Sequence, residues 1–130
     1  MTLKTIYQTV LAIVFSTVVS VSAVTAAEVK TLSADEVRKA FIDNTLDTGK
    51  TFVFLEANGV IKGKSRRGPT DTGKYSIKDD GQYCRKWNNW RGGSEECVKI
   101  KRAGDDFATV RLDGTVRSTF KILKGNPEGL

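Results

Sequence analysis

The sequence contains no histidine in 130 residues, only two cysteines, and no long apolar run beyond its first 27 residues. Each absence removes a class of chemistry. Without an imidazole there is no Ser-His-Asp triad, no Cys-His dyad, no His-ligated zinc and no histidine proton shuttle. Carboxylates, Lys, Tyr and Arg remain as acids and bases, which leaves a two-carboxylate hydrolase as the one common catalytic scheme. The paired acids Asp79-Asp80, Glu95-Glu96 and Asp105-Asp106 fall at turns and strand ends. There they read as turn formers and as cross-strand partners of Arg85 and Lys86. Asp71 with Asp79-Asp80 lacks the spacing of a calcium loop. The expectation is a protein that is not an enzyme and has no cofactor and no metal site. Despite a pI near 9.4, no nucleic-acid recognition motif is present, so no nucleic-acid partner is expected.

Charge is missing from the beginning of the chain. Residues 1–27 carry Lys4 and no other charge, while all 12 glycines lie beyond them. A short basic start, an apolar run from Val10 to Val21 and a small, weakly polar stretch from Ser22 to Ala27 follow the order of a secretory signal peptide. Val24-Thr25-Ala26 and Thr25-Ala26-Ala27 both offer small side chains for cleavage, predicting Ala27 or Glu28 as the mature N-terminus. The apolar run of 12 residues is too short for a membrane span, which needs about 20. The expected organisation is a cleaved leader over 1–27 and a single domain over 28–130, periplasmic or secreted and monomeric. Loss of Lys4 leaves 20 basic and 15 acidic residues, so the mature charge is +5 against +6 for the whole chain. In an oxidising compartment Cys84 and Cys97 are expected to pair. Closing that loop stabilises a fold by about 3 kcal/mol in the chain-entropy model.

Leu32-Ser33-Ala34-Asp35-Glu36-Val37 predicts a helix start: Ser33 as cap, Glu36 completing a capping box, and Leu32 stapling onto Val37. Val37, Ala40 and Phe41 give one narrow apolar stripe. Beyond the helix the pattern alternates, with strands expected near 50–56, 60–65, 73–78, 82–87, 95–102, 106–112 and 116–123. Asn58-Gly59, Asp80-Gly81, Gly104-Asp105 and Asp113-Gly114 punctuate them. Seven short strands in tight succession predict a mainly β, antiparallel up-and-down barrel or sandwich with a short N-terminal helix. A three-residue Asp79-Asp80-Gly81 turn pairs Ile77 with Tyr83 and Tyr75 with Arg85. The Cys84–Cys97 bridge then sets Tyr83 opposite Val98, Arg85 opposite Glu96, Lys86 opposite Glu95 and Trp87 opposite Ser94. That parity sends Tyr75, Ile77, Tyr83, Val98 and Ile100 inward and makes the disulfide an external staple.

Leu32-Ser33-Ala34 through Val37, Asn44-Thr45-Leu46, Phe54 with Asn58-Gly59-Val60, Lys62-Gly63-Lys64, Gly73-Lys74-Tyr75-Ser76-Ile77, and Asp80-Gly81-Gln82-Tyr83-Cys84 with Trp87 and Cys97 form a further pattern. It resembles a family of small exported proteobacterial domains of unknown function, over about residues 32–107. The resemblance implies a short helix followed by a compact lipocalin-like β-barrel and implies no established activity. Tyr75 stands where many relatives have tryptophan, and the Asn88–Ser94 loop is longer, so that loop is the least transferable part.

Two groups are candidate sites. Trp87, Trp90, Arg91 and Arg85 crowd the connection between the cysteine strands, where stacking faces and guanidinium donors suit a sugar, a nucleobase or a lipid headgroup. The simpler alternative, and the commoner fate of aromatics in small domains, has Trp87 closing the barrel and Trp90 folding back over it to exclude water. Lys62, Lys64, Arg66 and Arg67, followed by Gly68-Pro69-Thr70-Asp71, form a basic loop able to meet phosphates or an anionic partner. Its plainer alternative is a solvated strand end. The functional expectation is a non-catalytic binding module for a small or anionic envelope ligand. The alternative is a protein-interaction or hydrolase-inhibitor domain acting on an acidic partner, because a charge of +5 would repel cationic lysozyme-like targets.

Overall fold

The computed structural model describes residues 18–20 and 30–130. The expected leader, apart from residues 18–20, and its expected cleavage position lie outside the described residues. Among the described residues no helix is long and apolar enough to cross a membrane.

The helix forms where the capping signals place it. Helix α1 spans Ala34–Phe41, the Ser33 side chain accepts from the Glu36 backbone N–H, and the Glu36 carboxylate accepts from the Ser33 N–H at 3.2 Å. Those contacts hold the Glu36 carboxyl below its usual range. Val37 and Phe41 are fully buried, and Arg38 donates to the Ile77 carbonyl, fixing the helix to the neighbouring hairpin.

Eight antiparallel strands follow: β1 Thr45–Asp47, β2 Thr51–Leu55, β3 Val60–Ser65, β4 Thr70–Ile77, β5 Tyr83–Trp87, β6 Glu95–Ala103, β7 Asp106–Val110 and β8 Val116–Leu123. Each pairs with the next in sequence, and β1 also pairs with β8, closing the barrel. The protein is therefore mainly β, a closed up-and-down barrel consistent with a lipocalin-like architecture. Seven strands were expected and eight are present among the described residues. The additional one, β1, has three residues, too few to display alternation, and closes the sheet by pairing with β2 and β8 at once. β4 begins at Thr70, three residues before its expected start, and β7 ends at Val110, two before its expected end.

The central register is as the parity requires. Ile77 faces Tyr83, Tyr75 faces Arg85, Tyr83 faces Val98 and Arg85 faces Glu96. The turn works because Gly81 takes φ +88°, a left-handed conformation with little cost for glycine. The β5–β6 ladder ends at Lys86–Glu95, so the expected Trp87–Ser94 pair is not part of it. Cys84 and Cys97 are joined by a disulfide. The bridge lies on the outer face of the sheet, opposite the inward Tyr83 and Arg85, as expected, although Cys84 itself is only 2% exposed and Cys97 partly so.

Helix α1 stoppers one end of the barrel. Phe41 meets Tyr83 and Phe120 edge-on, at ring-centroid distances of 5.3 and 5.7 Å. The chain leading into the helix is tied down by the Leu32 N–H donating to the Ile100 carbonyl at 2.7 Å. The C-terminal segment crosses the outside of β1, where Thr45 donates to the Gly125 carbonyl and the Gly125 N–H donates to Asn44.

Candidate functional site

The end of the barrel away from α1 carries loops 48–50, 66–69, 88–94 and 111–115. A cavity of about 330 Å³ extends from these loops toward the helix. Its floor is apolar, made by Phe41, Leu46, Ile100 and Phe120, and its walls near the loops carry Lys50, Arg85, Arg91 and Arg117.

Three guanidiniums converge on one carboxylate. Arg91 reaches Glu96 Oε2 at 3.0 Å, Arg85 approaches the same oxygen at 3.4 Å, and Arg117 pairs with Glu96 Oε1. Arg85 and Glu96 share an inward face of the β5–β6 ladder because they are register partners. Arg117 arrives differently. Thr109 pairs with Ser118 and Val110 with Val116, leaving Arg117 as an extra residue on β8. Such a bulge re-aims a side chain, and here it directs Arg117 to the cavity. Arg91 lies in a 3₁₀ turn at φ 55°, ψ 31°, a left-handed conformation that costs a non-glycine residue roughly 1–2 kcal/mol. Burial and the neighbouring Arg85 charge lower the Arg91 pKa, and burial followed by Arg91 and Arg85 lowers that of Arg117. The cluster therefore carries mutual cationic repulsion that Glu96 offsets only in part.

Tyr83 lines the same cavity, with the Arg85 guanidinium 5.6 Å from its ring centre. Its hydroxyl is fully buried next to Arg85, and its O–H has no acceptor among the described residues. Burial pushes its pKa up to about 12, although the Arg85 charge acts in the opposite direction.

The structure brings Trp87, Arg85 and Arg91 to the cavity and leaves Trp90 one layer behind. Trp90 is half-buried, tilted against Trp87 at a centroid distance of 4.8 Å. Both indoles lie over Gly63, where a Cβ would collide with each ring. Asp71 fastens this arrangement by accepting from the backbone N–H groups of Asn89 and Trp90 and from the Asn89 amide. Burial alone would raise the Asp71 pKa, but these hydrogen bonds together hold it below the usual range.

The basic group at β3 has a different character. Lys62 pairs with Glu56 at 2.8 Å, Lys64 with Glu128 at 3.7 Å, and Arg66 with Asp47 at 3.0 Å. The Lys62 contact holds the Glu56 carboxyl below its usual range. Arg66 also lies over the Phe52 ring at 4.4 Å. Of these four cations, Arg67 alone has no ion pair among the described residues. Asp71, expected at the end of the basic loop, is instead buried in β4.

Sequence reasoning placed Glu96 opposite Arg85 but missed Arg117, Lys50 and the buried Tyr83 hydroxyl. No alternation pattern shows which strand residue becomes a bulge, so Arg117 had no readable signal.

A closed, disulfide-bonded β-barrel with a cavity that is apolar at its floor and cationic toward its loops defines the class of protein. Set against protein-family models, curated proteins and solved structures, the chain matches none of them.

Proposed function

We propose that the protein is a non-catalytic, exported binding module that takes a small anionic ligand into its barrel. The convergence of Arg85, Arg91 and Arg117 on the single carboxylate of Glu96, beside a cavity of about 330 Å³, carries this proposal. Three cations balanced by one anion attract a further anion, and a partly desolvated setting strengthens that attraction. The apolar floor favours a ligand with a hydrocarbon end. The leader pattern and the disulfide support an exported location, periplasmic or secreted. The resemblance to small exported proteobacterial domains agrees with it. A barrel closed by the β1–β8 pairing has no free sheet edge, which supports a monomer. The reading as an interaction or inhibitor domain has less support. Trp90 packs onto Trp87 instead of projecting, and Lys62, Lys64 and Arg66 already have carboxylate partners.

Titration calorimetry with octanoate and 1-octanol tests the proposal. Octanoate should bind once per chain and at least tenfold more tightly than octanol, and Arg85→Gln should reduce that difference several-fold. Equal affinity for the two compounds, or binding of neither, would overturn it.

A further inference from the structure

The geometry points to a more particular ligand: a phosphate monoester on a short apolar chain, its dianionic head group received by Arg85, Arg91 and Arg117. This inference rests on the anion-binding reading above. Charge is the first argument. Three guanidiniums against Glu96 leave two positive charges, and Lys50 adds a third at the cavity wall. A monocarboxylate leaves the arginine cluster one positive charge in excess, whereas a phosphate monoester, with about −1.5 to −2 charge at neutral pH, brings it close to neutrality.

Donor geometry is the second argument. Each guanidinium has five N–H donors, yet the contacts to Glu96 use one nitrogen from each, and that of Arg85 is long at 3.4 Å. The three terminal oxygens of a phosphate monoester give each guanidinium its own acceptor. Two irregularities of the backbone deliver these donors: the extra residue in β8 for Arg117 and the left-handed turn for Arg91. Both cost stability, and both aim an arginine at the same carboxylate. Local strain of this kind concentrates at ligand sites. Glu96 keeps the three cations together before the ligand arrives. The Tyr83 hydroxyl, buried in the cavity wall next to Arg85, is a further donor with no acceptor among the described residues.

Size is the third argument. A cavity of about 330 Å³ lies at the lower end of the range of about 300–1,000 Å³ for small-molecule sites. Phe41, Leu46, Ile100 and Phe120 close its floor, so it suits one short chain and excludes a two-chain lipid.

The absence of histidine gives this inference a clean test. The ionisable side chains at the cavity are Lys50 before β2, Tyr83 and Arg85 on β5, Arg91 in the turn, Glu96 on β6 and Arg117 on β8. None is a histidine, the side chain whose ordinary ionisation falls near neutrality. A phosphate monoester gains its second charge near pH 6, so a change in affinity across that range reports on the ligand. Calorimetry with octyl phosphate, octanoate, 1-octanol and inorganic phosphate, at pH 8 and pH 5.5, reads it. At pH 8 octyl phosphate should bind at least tenfold more tightly than octanoate, and at pH 5.5 that advantage should shrink by about fourfold, as the dianion fraction falls with a second pKa near 6, while octanoate changes little. Arg117→Gln should weaken octyl phosphate more than octanoate. Arg91→Gln, in an exposed turn, gives the same comparison if the strand variant fails to fold. Equal affinity of octyl phosphate and octanoate would overturn the head-group assignment and leave anion binding standing. Inorganic phosphate binding as tightly as octyl phosphate would overturn the role of the apolar floor. Binding of neither octanoate nor octyl phosphate would remove both proposals.

Discussion

At the helix end of the barrel, Phe41 is fully buried between the rings of Tyr83 and Phe120, and Leu32, Val37 and Leu55 are buried with it. At the loop end, three guanidiniums share one carboxylate, a strand carries an extra residue and an arginine occupies a left-handed turn. Both ends belong to the same eight strands, so the contrast lies in what their side chains are used for. The first end supplies stability through apolar burial and edge-on aromatic contacts. The second carries an extra strand residue and three clustered guanidiniums that packing does not explain. A left-handed non-glycine residue occurs at each end, Asp43 at φ 63° and Arg91 at φ 55°, but aspartate adopts that conformation more readily than arginine. That division places the candidate site at the loops and makes the helix end its support.

The contrast can be tested from its strongest side first. Phe41→Ala removes the stopper from the helix end and should cost about 3–5 kcal/mol in chemical denaturation. A loss under about 1 kcal/mol would mean that the helix is not part of the core.

Tyr83 stands between the two ends and ties stability to alkaline pH. Its phenol has an ordinary value of 10.0 and is pushed to about 12 in the fold by burial. The folded chain thus keeps a proton that the unfolded chain releases. Stability from this group is present below about pH 10 and is lost as pH rises toward about 12. Tyr83→Phe should flatten that alkaline slope, a difference of about 2–3 kcal/mol at its upper end. Parallel wild-type and variant curves between these limits would contradict the burial of the phenol.

Gly63→Ala probes the loop end, where a Cβ would strike Trp87 and Trp90. It should cost about 1–3 kcal/mol as an overpacking change and shift tryptophan emission. Unaltered emission would show that the two indoles do not rest on β3. The three effects, read together, decide whether the helix end is the stronger element and the tryptophan-lined end the more adaptable one.

Much of the architecture was readable because it follows local rules. The capping box predicted the start of α1, and the Asp80-Gly81 turn with the cysteine pair was enough to set five residue pairs across β4, β5 and β6. The short β1 was not readable, because three residues show no period and their pairing with β8 joins positions more than 70 residues apart. The same limit applied to the site. Arg85 and Glu96 were paired by register, and Arg91 was singled out beside its glycines. Trp90, named with them as a ligand contact, packs behind Trp87 instead.

The sequence by itself determined the strand order, the central register, the helix cap and the pairing of the two cysteines, since each depends on residues near one another along the chain or on a two-residue period. Only the tertiary structure decided that the sheet closes through β1, that Arg117 turns inward at a bulge, and that Lys62, Lys64 and Arg66 are matched by acids from other segments. Those outcomes depend on which distant side chains meet in space. A charge in the sequence has a sign, but whether it is neutralised or left available is a property of its neighbours in the fold.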